Sequence, residues 1–299
     1  MRNIKNNKKK KIFKKIFIKL SRILGYEIID QNDFSFPVSN KNSEDSLSIL
    51  GKKSIAIPLG ETMITRSVKS LDIIVKTCTS VNLVTQNKKR IFEHNKSEYT
   101  IRTIKSLINN ININKDLFNK IKVSLTIIDH NSKKGDLELI KKIIEQSRID
   151  YKIYNLNVDE FPQIKILNKN NTTIEGNMRA AMASIIKSFQ VAKEISADLI
   201  YFVEDDYIHK SECLAEMLFT YEKIASEINE ELFLCPVDYP YLYKSTENTN
   251  ILIGHRYHWR TIKESLLTFM TSKKMLNKHW DLLMKMCTEE HAPFETPLH

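Results

Sequence analysis

LIYFVEDDYIH, residues 199–209, sets the reading of the whole chain. LIYFV is apolar without interruption, as expected of a strand buried on both faces in a parallel sheet. It ends abruptly in Glu204, Asp205 and Asp206. In mostly parallel sheets the ligand lies beyond the carboxyl ends of the strands, so these acids stand where a ligand would. Adjacent carboxylates raise one another's pKa unless a cation or ligand compensates them. A hard divalent ion such as Mn²⁺ or Mg²⁺ takes one or two carboxylates, completes its shell with substrate phosphates and neutralises a departing diphosphate. The bland alternative is a solvated acidic turn capping a helix that starts near Lys210.

Strands and helices alternate before this run. SIAIPLG (54–60) reads as a short strand, and LDIIVKT (71–77), KVSLTIID (122–129) and YKIYNL (151–156) as further strands. Helical spacing marks residues 97–112, about 136–147 and 176–195, the last rich in alanine. Continuous apolar strands joined by helices predict crossover connections and an α/β fold with a mostly parallel sheet. Three strand ends then meet at one edge: Lys76-Thr77, Asp129-His130-Asn131-Ser132, and Glu204-Asp205-Asp206. Neither G-x-G-x-x-G nor G-x-x-x-x-G-K-[ST] occurs, which disfavours dinucleotide and P-loop phosphate cradles.

Composition narrows the class further. The 299 residues carry 46 Lys and Arg against 36 Asp and Glu, a net charge of +10. Ten of the basic residues and none of the acids fall in residues 1–26, which leaves the remainder with 36 of each sign. A nucleic-acid-binding face needs Lys and Arg spread over the domain, so no nucleic-acid partner is expected. Cys78, Cys213, Cys235 and Cys287 form no C-x-x-C pair and read as reduced thiols of a cytoplasmic protein. No apolar run reaches the ~18 residues of a membrane-spanning helix, and no small-residue cleavage site follows the basic start.

Within that basic segment, Ile12, Phe13, Ile16, Phe17, Leu20, Ile23 and Leu24 share a helical face opposite Lys11, Lys14, Lys15, Lys19 and Arg22, with Gly25 as the stop. A basic amphipathic helix over residues 1–26 is therefore expected. It suits the anionic inner face of the plasma membrane, which residues 1–25 would touch as a peripheral anchor. Docking on the protein's own core, or on a partner, are the other readings. Residues 27–53 are polar and aperiodic and read as a linker, with the main domain over 54–299.

LDIIVKTCTSV (71–81), LTIIDHNS (125–132), GNMRAAMASI (176–185) and IYFVEDDYI (200–208) resemble, in order and spacing, the GT-A (Rossmann-like) fold of family 2 glycosyltransferases. The family's elements are an I-I-P-x-Y first strand, V-V-D-D-G-S, G-x-x-x-A-R-N-x-G and F-L-D-x-D. This chain departs from them with Lys76-Thr77-Cys78 in place of Pro-x-Tyr, with His130-Asn131, and with Glu204 at the first acid of the D-x-D. The resemblance implies that Asp129 holds the base or ribose of a nucleotide-sugar donor and that Glu204 faces the ribose or sugar. It implies that Asp206 holds the divalent cation bridging the diphosphate and that Arg179 faces the sugar or phosphates. Thr77 and Asp205 belong to the same donor site.

Beyond the acids, ELFLCPVDYP (231–240) reads as a strand leading to Tyr239, Tyr241 and Tyr243. GHRYHWR (254–260) offers Arg256, Trp259 and Arg260 as a wall near the acceptor or diphosphate; His255 and His258 lack the further ligands of a metal site. Residues 272–287 read as an amphipathic helix. Inverting transfer needs a carboxylate base for the acceptor hydroxyl. The resemblance seeks it among late acids, with Glu295 first, Glu290 next, and Glu289 in the same window. The chain stops at His299 where similar enzymes continue, so a C-terminally truncated sequence is expected and His299 takes no metal role. The expected activity is metal-dependent transfer from a nucleotide sugar to a saccharide or lipid-linked acceptor in envelope polysaccharide synthesis. The alternatives are a nucleotidyltransferase, or an inactive membrane-associated scaffold of the same fold.

Overall fold

The computed structural model describes residues 13, 16–21, 23–26, 63–80, 94–164, 177–237, 243, 248–263 and 267–288. The chain divides into two compact units, Met1–Ser43 with Ser54–Pro58, and Glu44–Lys53 with Leu59–His299. The expected linker over 27–53 and the strand over 54–60 lie outside the described residues.

In the smaller unit, residues 13, 16–21 and 23 are helical. Gly25, at φ +83°, ends the helix. Its left-handed conformation lets the Tyr26 N–H reach back five residues to the Ser21 carbonyl at 2.9 Å, the 6→1 bond of a Schellman ending. Several apolar side chains of this helix are open: Phe13 is 73% exposed, Phe17 63% and Ile23 76%.

The larger unit is built on a six-stranded sheet. Strands β1 (Ser70–Thr77), β2 (Lys122–Asp129), β3 (Asp150–Asn155) and β4 (Leu199–Glu204) are parallel. The strand β8 (Phe269–Ser272) pairs antiparallel with both β4 and the two-residue β5 (Phe233–Leu234). The order is β3-β2-β1-β4-β8-β5, and β6 (Ile251–Ile253) with β7 (His258–Arg260) forms a separate hairpin. Helices α1 (Lys96–Ile113), α2 (Lys134–Ser147) and α4 (Cys213–Ile228) contribute to the core on one face. Helices α3 (Asn177–Ile195), α5 (Lys273–Lys278) and α6 (Trp280–Thr288) contribute to the core on the other. The mostly parallel, helix-flanked sheet is the one expected from the apolar runs.

Burial explains which strands are central. In β1, Leu71, Ile73, Ile74 and Val75 are all fully buried, because helices cover both faces. The edge strand β3 instead holds only exposed and half-buried residues. Ala183 and Ala192 of α3 are fully buried, and their small side chains let that helix lie close over Ile74, Ile128 and Phe202. Each such Ile or Phe contributes about 1.5–3 kcal/mol by leaving water.

Two expectations need correction. Among the described residues of the strand expected over 231–240, only Phe233–Leu234 is strand, since Pro236 has no N–H to continue a ladder. The helix over 272–287 is two helices, broken at His279 (φ −107°, ψ 21°). The break sets the His279 ring 6.2 Å from Phe233 and puts Trp280 4.0 Å beneath the Lys193 ammonium of α3.

At the amino edge of the sheet, Arg66 is a fork. Its Nη2 meets Asp198 Oδ1 at 2.5 Å and its Nε meets Glu231 Oε1 at 3.1 Å. Asp198 Oδ2 also accepts the Lys69 N–H at 2.7 Å, and Glu231 Oε2 accepts the Tyr221 hydroxyl at 2.7 Å. The cluster ties the start of β1 to the starts of β4 and β5.

Candidate active site

Strand register creates the site. In the parallel ladders Thr77 stands opposite Asp129, and Lys76 opposite Glu204. Successive side chains of a strand point to opposite faces. Ile73 and Val75 of β1, with Tyr201 and Val203 of β4, belong to the α1/α4 core, and Ile74, Ile200 and Phe202 to the α3 core. Continuing that alternation, Thr77 and Asp205 fall on the α1 side and Lys76 and Glu204 on the α3 side.

Side-chain contacts agree with this partition. The Thr77 hydroxyl donates to Asp129 Oδ1 at 2.7 Å, and the Ser132 N–H donates to Oδ2 at 3.2 Å. Asp129 is 5% exposed, and each of its oxygens retains a lone pair for a further donor. The turn that follows passes through Asn131 at φ +53°, a left-handed position that asparagine tolerates. Two crossed bonds lock this turn to the end of β1: Thr79 N–H to Ser132 Oγ (3.0 Å) and Lys133 N–H to Thr79 Oγ1 (2.9 Å).

The three consecutive acids have separate surroundings. Asp205 is buried, with Oδ1 2.5 Å from Lys96 Nζ. Its Oδ2 accepts the Thr100 hydroxyl at 2.7 Å and the Cys78 N–H at 3.3 Å. Asp206 lies 3.9 Å from the same ammonium and keeps 29% of its side-chain surface open. Glu204 keeps 30% and pairs with Lys76 at 3.3 Å. Burial alone would lower the Lys96 pKa, but Asp205, Asp206 and Glu204 together raise it above its ordinary value. The compensating cations that a run of acids demands are thus already present, as two lysines. Lys96, Thr100 and the Cys78 amide were not among the sequence candidates. A lone lysine at the start of a helix gives no local signal, and only the packing of α1 against the end of β4 brings it there.

The chemistry of this donor set bears on whether it suits a divalent ion. With Asp205 fully engaged, Glu204 and Asp206 are the partly open carboxylates. Among the described residues no group of three or more His, Cys, Asp and Glu comes together to hold a metal. Such a site fits an ion that brings most of its shell as water and phosphate, and does not fit a preformed protein cage. Arg179 is half-buried in the first turn of α3. Because α3 ends just before β4 begins, its first turn lies at the carboxyl edge, the same end of the sheet as the acids. Glu289, Glu290, Glu295 and His299 lie outside the described residues.

A cavity of about 840 Å³ is bounded in part by Tyr207 and Ile208, the residues directly after Asp206, and by Trp259 and Arg260 of β7. The hairpin that supplies this wall is anchored by Glu216 of α4. That buried carboxylate accepts the N–H groups of His255 (3.1 Å), Arg256 (2.7 Å) and Tyr257 (3.3 Å) and the Trp259 indole N–H (3.0 Å). Burial opposes its charge, but these bonds hold its pKa below the usual value. Gly254 is required there, because a Cβ would collide with the Trp259 ring and the Thr220 hydroxyl. Arg256, expected in the wall, instead pairs with Glu212 at an exposed 2.6 Å contact. His255 faces Phe219, ring to ring, at 4.5 Å. Nearby, His209 is buried between Tyr201 OH (2.8 Å) and Ser106 Oγ (3.2 Å), and burial pushes its pKa down to about 4.

Fold and site together define a doubly wound α/β protein whose carboxyl edge presents a cation-compensated acidic corner. No protein family's sequence model matches the chain, and no curated protein does. Among solved structures, the chain is similar to the crystal structure of S. aureus TarS 1–349, with 12% identity and a TM-score of 0.39, over 71% of this chain and 49% of that one. It is also similar to the crystal structure of S. aureus TarS, with 14% identity and a TM-score of 0.40, over 71% of this chain and 30% of that one. The chain thus spans less than half the length of either.

Proposed function

We propose that this chain is a GT-A-type glycosyltransferase that moves a sugar from a nucleotide-sugar donor to a saccharide or lipid-linked acceptor, with inversion, in envelope polysaccharide synthesis. The observation that carries the reading is the convergence of Thr77, Asp129, Glu204, Asp205 and Asp206 at the carboxyl ends of three adjacent parallel strands. Asp129, oriented by Thr77 and Ser132, accepts hydrogen bonds from the base or ribose. Glu204 faces the ribose or sugar, and Asp205 fixes the corner through α1. Asp206 is the carboxylate for a Mn²⁺ or Mg²⁺ ion, which neutralises charge on the departing diphosphate. Arg179 donates to the sugar or phosphates. The acceptor hydroxyl's proton passes to a carboxylate, Glu295 in the first place and Glu290 in the second.

The same reading places the protein at an anionic cytoplasmic membrane surface. Its support is the helix whose Phe13, Ile16, Phe17 and Ile23 side chains are open, within a segment of ten basic residues and no acid. The apolar side enters the acyl boundary while the lysines meet headgroups, each contributing about 1 kcal/mol.

Asp206→Ala is expected to weaken Mn²⁺-dependent binding of UDP- or GDP-sugars at least a hundredfold, read by titration calorimetry, with an unchanged thermal melt. Parent-like binding would overturn the site assignment. Removing residues 1–25 is expected to shift the protein from pelleted liposomes containing anionic lipid into the supernatant. Unchanged pelleting would remove the membrane assignment.

A further inference from the structure

We propose that Lys96 is a built-in counter-ion that keeps the acidic corner assembled without metal and makes divalent-ion binding conditional on the donor's diphosphate. This rests on the metal-dependent donor site proposed above and names the residue that governs it. Lys96 Nζ is 2.5 Å from Asp205 Oδ1 and 3.9 Å from Asp206 Oδ2, so one ammonium serves two neighbouring carboxylates. It is held from the first residue of α1, and Thr100, one turn further along, donates to the other oxygen of Asp205. Helix α1 therefore grips Asp205 twice. On the opposite face of the strand Lys76 compensates Glu204.

Among the described residues, Glu204, Asp205 and Asp206 face two ammonium groups, Lys76 and Lys96, which offset much of their negative charge. An ion arriving alone at Asp206 gains little attraction from such a corner and meets the repulsion of Lys96. An ion arriving with a nucleoside diphosphate brings its own negative charge, and the same ammonium then attracts the phosphate oxygens. Lys96 thus opposes the bare ion and favours the ion–nucleotide pair. It is a positioning residue: its contacts are with Asp205 and Asp206.

The test is Mn²⁺ binding to the full chain, read by electron paramagnetic resonance of the free ion, with and without UDP or GDP. Wild-type protein is expected to bind bare Mn²⁺ weakly and at least tenfold more tightly with the preferred nucleotide. Lys96→Gln should bind bare Mn²⁺ at least tenfold more tightly than wild type and lose most of the nucleotide enhancement. Lys96→Arg, which keeps the charge, should bind bare Mn²⁺ as weakly as wild type. A folded Lys96→Gln protein with wild-type affinity for bare Mn²⁺ overturns the proposal. So does wild-type protein that binds Mn²⁺ equally with and without nucleotide, a result that needs no variant to fold. If neither nucleotide binds, the donor-site reading fails, and the gain of bare Mn²⁺ affinity in Lys96→Gln still decides whether Lys96 is the counter-ion.

Discussion

The two ends of the sheet carry similar charges arranged to opposite effect. At the amino edge Arg66 is shared by Asp198 and Glu231, whose side chains are 11% and 12% exposed. The Lys69 N–H and the Tyr221 hydroxyl also donate to these carboxylates. At the carboxyl edge, lysines replace the arginine, and Glu204 and Asp206 stay about three-tenths open. A planar guanidinium fixes carboxylates bidentately, whereas an ammonium is a point charge on a flexible stem that can change partners. The amino edge is closed and structural. The carboxyl edge keeps its charges available.

That contrast can be broken by experiment. Arg66→Ala leaves two mostly buried carboxylates unpaired and should destabilise the fold by about 3 kcal/mol, read by urea denaturation, with nucleotide affinity unchanged. Comparable loss of affinity would show that the two edges are not independent. His209, close to the open edge but closed to solvent, supplies the next effect. Its folded pKa of about 4 lies below the ordinary 6.5, so its stabilising contribution is full above pH 6.5 and is lost as the pH falls through about 4. Between pH 7 and pH 5 this group should remove about 2 kcal/mol of stability. His209→Gln should lose correspondingly less over that interval, and an equal loss would contradict the assignment. The smallest effect is expected for the stability of Asp206→Ala, within about 0.5 kcal/mol of the parent, because about three-tenths of that side chain is open to solvent. A large loss would make Asp206 a structural residue like Asp198.

The strands that position the site were legible because a strand buried on both faces must be apolar throughout, and 71–77, 122–129 and 199–204 are. Their carboxyl ends were legible for the same reason, since parallel strands joined by crossovers bring those ends to one edge. That the ends bearing Thr77 and Asp129 meet at one edge therefore follows from pattern, while the register that pairs them is a property of the fold. The Asp205 cradle does not follow from pattern. A separation of 105 residues lies between Asp205 and Thr100, and no periodicity within α1 marks the turn that reaches the acids. Nor does apolar spacing reveal the break at His279, because Leu276, Leu283 and Met286 keep helical spacing across it. Glu216 escaped notice because a single glutamate within a helix looks like a solvated one until a hairpin turn folds onto it.

The alternation along the end of β4 makes this corner intolerant of a change in reading frame. One residue inserted within LIYFV would hand α1 the glutamate and turn the aspartate it now grips toward α3. Two inserted residues would restore the facing of each acid while moving the corner by one pleat. Natural or designed relatives of this sheet should accordingly vary here in steps of two, if they vary in length at all.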